Sequence, residues 1–176
     1  MKKNAAQNLV LQKDIMRYKK NNFGANLALI GLALGCIYFL VLYAQVKNDN
    51  FYYTWVIAFD VIYNLFFLLF VFLFSEQVKN YNDKLFILQI IVGALQIARI
   101  FWLPLTGIIN KAIDIGAFLA MAISLGASGA CIIASSVIGR IRARAVAEFT
   151  KKLENGEIDL DAELKKEETV GGEVNA

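Results

Sequence analysis

Histidine is missing altogether from this 176-residue chain, and proline occurs once. Without imidazole the commonest general base and the commonest metal ligand are both gone. The two cysteines, Cys36 and Cys131, each fall inside an apolar run. They read as small buried hydrophobes and not as a metal pair or a disulfide. Phosphate-cradling glycine loops, paired-histidine zinc motifs and nucleophile-elbow serines are absent too. Catalysis is therefore not expected, nor is a metal or other cofactor. Charge is also scarce, at 19% of residues against about 25% in soluble domains.

What fills the chain is apolar. Hydrophobic residues make up 58% and phenylalanine alone occurs 13 times, with a mean hydropathy of +0.53. Four runs dominate, at about 27–46, 53–75, 85–103 and 112–139. Each reaches the roughly 20 residues that a helix needs to cross about 30 Å of hydrocarbon. Period-two alternation is absent, which excludes a barrel, and backbone groups in lipid must otherwise be satisfied inside a helix. The first run is long and lacks a small-residue cleavage pattern after it, so it reads as a span and not as a leader. The expected fold is an all-α, integral-membrane four-helix bundle.

Lys and Arg set the expected orientation. Lys2, Lys3, Lys13, Arg17, Lys19 and Lys20 precede the first span, Lys79 and Lys84 follow the second, and Arg140, Arg142 and Arg144 follow the fourth. The other two loops hold only Lys47 and Lys111. Both termini are expected to be cytoplasmic, in the cell membrane. Three parts follow: a basic amphipathic interfacial helix over 1–23, the bundle over 24–139, and a cytoplasmic part over 140–176. In that last part the fourth helix continues into a tail that is acidic and partly disordered. From Glu154 onward eight acids face Lys165 and Lys166, leaving −6. Lys19, Lys20, Arg140, Arg142 and Arg144 are candidates for contact with anionic lipid, and the same topology explains the basic runs without nucleic acid.

Ionisable groups inside spans are the sharpest signal. Asp60 lies about seven residues into the second run, or roughly 10 Å at 1.5 Å per residue, and Asn64 is one turn further on the same face. Arg99 lies near the end of the third run, with Gln96 and Gln89 on its face, and Asp114 lies at the start of the fourth. Asp60, Arg99 and Asp114 all fall in the expected outer leaflet. A charge in mid-membrane costs roughly 2.5–3.5 kcal/mol on insertion scales, and pairing lowers that cost. An Asp60–Arg99–Asp114 cluster lined by Asn64 and Gln96 is expected.

Small residues mark close helix contacts. Gly31 and Gly35 form such a step in the first run, and Gly116, Ala120, Ser124 and Ser128 form a ladder in the fourth. The phenylalanines of the second run read as lipid-facing. The expectation is a non-catalytic multi-pass subunit or scaffold that assembles with itself or with other membrane proteins. The alternative is an oligomeric channel or transporter component that uses the polar cluster.

Overall fold

The computed structural model describes residues 21–46, 54–82 and 84–156, and every element among them is helical. Helix α1 is Asn22–Val46, α2 is Thr54–Lys79, α3 is Phe86–Ala98, α4 is Leu103–Ile109 and α5 is Ile115–Glu154. A 3-10 turn, Arg99–Phe101, joins α3 to α4. Four segments are long and apolar enough to cross a membrane: Asn22–Gln45, Val56–Lys79, Phe86–Ile109 and Ile115–Lys152. The expected N-terminal helix with Lys19 and Lys20, the loop around Lys47 and the tail beyond residue 156 lie outside the described residues.

Helix ends depart from the hydropathy boundaries wherever local hydrogen bonding outvotes apolarity. The first helix starts at Asn22 and not near residue 27, because the Asn21 side chain accepts the Gly24 N–H at 3.1 Å, a capping bond. The third segment runs to Ile109 and not to Leu103, and it is broken on the way. Pro104 stands near the start of α4 and has no N–H for the Ile100 carbonyl, so the turn before it tightens. The fourth helix starts at Ile115 because Asp114 caps it. It then continues to Glu154 as one 40-residue helix.

Two compact units divide the chain, residues 21–140 and a second to which residues 141–156 belong. In the second unit Arg142 and Arg144 are exposed, and the Thr150 hydroxyl donates to the Val146 carbonyl of its own helix at 2.7 Å.

Within 21–140 the helices are held by side-chain hydroxyls and amides bonded to foreign backbone. Ser128 donates to the Gly31 carbonyl at 2.6 Å and Ser135 to that of Gly24 at 2.7 Å, joining α5 to α1. Ser75 donates to Ala25 at 3.3 Å, joining α2 to α1. Ser136 donates to Phe86 at 3.2 Å and Gln89 to Ile132 at 3.4 Å, joining α5 and α3. Close approach makes this reach possible. A Cβ on Gly129 would meet the Gly93 carbonyl at 2.5 Å, and one on Gly31 the Ser128 carbonyl at 2.9 Å.

Two apolar clusters form the core. One contains Tyr38, Leu42, Leu103, Ile113, Met121 and Leu125. The other contains Ala28, Phe67, Val71, Phe74, Val92 and Ile132. The second helix is thus not wholly outward-facing: Phe67 and Phe74, seven residues apart, turn inward, while Phe59, Phe66 and Phe72 stay exposed. Cys36 and Cys131 are free and half-buried.

Candidate functional site

The polar network forms where the two clusters meet. Tyr38 belongs to one cluster and Tyr63 packs on the other, and the Arg99 guanidinium lies over both rings. Its Cζ is 4.6 Å from the centre of the Tyr38 ring and 4.3 Å from that of Tyr63, within cation–π range of both. Its edge carries the hydrogen bonds. Nη2 donates to Asp60 Oδ1 at 2.6 Å, while Nη1 donates to Gln96 Oε1 at 2.9 Å and to Asn64 Oδ1 at 3.2 Å.

Asp60 is equally engaged. Its second oxygen, Oδ2, accepts from Asn64 Nδ2 at 2.9 Å, and from the Tyr38 hydroxyl at 3.5 Å. Asn64 Nδ2 also donates to the Asp60 carbonyl at 2.8 Å. Asp60 and Asn64 are buried, and Gln96 is 0% exposed. A buried carboxylate and guanidinium tolerate the loss of water only when paired and ringed by further hydrogen bonds. Both conditions hold.

The network therefore brings together Asp60, Asn64, Gln96 and Arg99 from the third and second apolar segments. It does not bring in Asp114. That carboxylate is exposed, and its Oδ1 accepts the Ala117 N–H at 2.6 Å. The expected three-charge cluster is a two-charge pair, because a short acid directly ahead of a helix satisfies the free N–H groups and positive dipole of that helix end. The missed members are the two tyrosines. Tyr38 stands two residues from Cys36 in a run that reads simply as apolar, and Tyr63 adjoins Asn64. An arginine in a span calls for aromatic faces as well as acids, and only that chemical rule points to them.

Two polar atoms of the site remain open. Gln96 Nε2 and the Tyr63 hydroxyl are buried with no hydrogen-bond partner among the described residues. The break in the third segment begins at Arg99 itself, so the charge sits on a 3-10 turn and not in a regular helix.

The small-residue positions separate into two groups. Gly31, Gly35 and Ser128 are buried contacts between helices: a Cβ on Gly35 would meet Phe67 at 2.5 Å and Gln96 Nε2 at 3.2 Å. Ser124 is buried, but its hydroxyl returns to the Ala120 carbonyl of its own helix at 2.7 Å. Ala120 is half-buried, and Gly116 is exposed with only Asp114 near it.

No protein-family model, curated protein or solved structure matches this chain.

Proposed function

We propose that this chain is a non-catalytic, four-pass subunit or scaffold of the cell membrane, a four-helix bundle with both termini cytoplasmic. In this reading it assembles with itself or with other membrane proteins. The observation that carries the reading is how completely Arg99 is enclosed. One carboxylate and two amides take three of its five N–H donors, and the carboxylate and two aromatic rings offset its charge. A group so engaged fixes the register of three helices, and it leaves little for a passing ion to replace. The apolar side chains left outside, among them Leu40, Phe66, Phe72 and Ile123, suit lipid and neighbouring subunits.

One observation favours the alternative, a channel or transporter component. Interrupted helices and open polar atoms mark substrate sites in many transporters, and here a helix break, Gln96 Nε2 and the Tyr63 hydroxyl share one place. The two readings part in nanodiscs. The scaffold reading expects the purified chain as a defined oligomer or with co-purifying membrane proteins, and Asp60→Asn then lowers assembly or stability alone. A lone, stable monomer overturns it. Loss of ion or solute flux in Asp60→Asn, with assembly intact, establishes the alternative.

A further inference from the structure

A second polar site lies away from the Arg99 network, where α2 ends, α3 begins and α5 leaves the apolar core. Gln77, Asn82, Phe86, Gln89, Ser136 and Arg140 line a cleft there. The cleft holds about 10 Å³ in all, room for one oxygen-sized group. Two buried atoms of this lining have no hydrogen-bond partner among the described residues: Gln77 Oε1, an acceptor, and Arg140 Nε, a donor. The Arg140 guanidinium is held in place by the Phe86 ring, 4.2 Å from Cζ to its centre. Ser136 and Gln89 are already spent on backbone and on Ser135. The free valences therefore belong to Gln77 and Arg140.

We propose that this cleft seats the headgroup of an anionic phospholipid that carries a hydroxyl. The headgroup hydroxyl fills the one-oxygen space, accepting from Arg140 Nε and donating to Gln77 Oε1, while the phosphate stays at the mouth as the counter-charge of the guanidinium. Three features of the site argue for this occupant. The cleft lies at the ends of apolar helices, the level at which a bilayer changes from hydrocarbon to headgroups. Arg140 is the one charged residue in the lining of the cleft, and a phosphodiester's single negative charge balances it. A water would satisfy both open atoms but would bring no charge to set against that of Arg140. The inference rests on the membrane-spanning reading.

The test uses the full-length chain, purified in mild detergent and supplied with phosphatidylglycerol or phosphatidylcholine. Retained lipid is read by native mass spectrometry. Phosphatidylglycerol is expected to stay bound in preference, with retention about tenfold weaker in Arg140→Gln, as for the loss of one charge-assisted hydrogen bond, and about threefold to tenfold weaker in Gln77→Leu, where the lost bond is neutral. Arg140→Lys, which keeps the charge but lacks Nε, is expected to weaken it too. Exposed Lys84 serves as control, and Lys84→Gln is expected to retain the lipid. Equal retention of the two lipids, or an equal loss in Lys84→Gln, overturns the site in favour of diffuse attraction. Competition by soluble glycerol phosphate as effective as that by phosphatidylglycerol overturns the lipid source. Should Arg140→Gln fail to fold, Gln77→Leu and Arg140→Lys decide. Alkaline carbonate extraction of the membranes checks the underlying reading separately: a chain that resists extraction yet shows no lipid preference sinks this site alone.

Discussion

Arg99 brings a full charge into an apolar stretch, and the cost of that is offset only while each of its partners is in place. Breaking a buried pair from one side strands the other charge, at about 3–5 kcal/mol. Asp60→Asn and Arg99→Gln are each expected to lower the thermal stability of the detergent-purified chain by an amount of that order. The double variant, in which neither charge remains, is expected to recover more than half of the summed loss. Purely additive losses in the double variant would refute the pair as a coupled unit. The expectation follows from the 2.6 Å contact and the low exposure of both side chains, 10% and 7%. Asp114 enters no such cycle, since its carboxylate caps α5.

Helices come close here because glycine lets them, and the effect is confined to particular positions. Gly129→Ala would drive its methyl to 2.5 Å from the Gly93 carbonyl, and a backbone oxygen in a packed helix cannot swing aside. Gly126→Ala would meet only Ile100, at 3.7 Å. The first is expected to destabilise by about 1–3 kcal/mol, the usual cost of overpacking, and the second to be neutral or to gain up to about 1 kcal/mol from helix propensity. Thermal unfolding of the two variants side by side checks this, and similar behaviour would remove close packing as the explanation. The same contrast shows what a sequence can reveal. Gly31 and Gly35 stand out by spacing, and both prove to be contacts. Gly116 stands out by the same spacing and faces open space, because spacing marks a helix face without saying whether another helix covers it. The break at Arg99 was hidden for a related reason. Hydropathy averages over a window, whereas Pro104 acts through one absent N–H.

Viewed whole, the chain is four apolar segments with a basic N-terminal stretch and an acidic tail, and that much is legible from composition, because a bilayer imposes length and apolarity on any helix that crosses it. The pairing of helices is legible only in part, since Ser128 and Ser135 find carbonyl groups that any sequence would carry. Orientation is the property of the whole molecule most open to direct test. With Cys36 and Cys131 replaced by alanine, a single cysteine at Asn110 is expected to react with a membrane-impermeant maleimide added outside intact cells. One at Lys84 is expected to react only after permeabilisation. Both residues are exposed, so the reverse result would invert the topology.

The Asp60–Arg99 pair also has a history in time. Its members stand 39 positions apart, and a chain is made from one end. On the membrane-spanning reading Asp60 reaches the bilayer ahead of Arg99, and the carboxylate must wait with what is already in place. Tyr38 and Asn64 are there to receive it. The hairpin of the first two spans is thus a provisional object, carrying an acid whose counterion arrives with the third, and Arg99 is the piece that completes it.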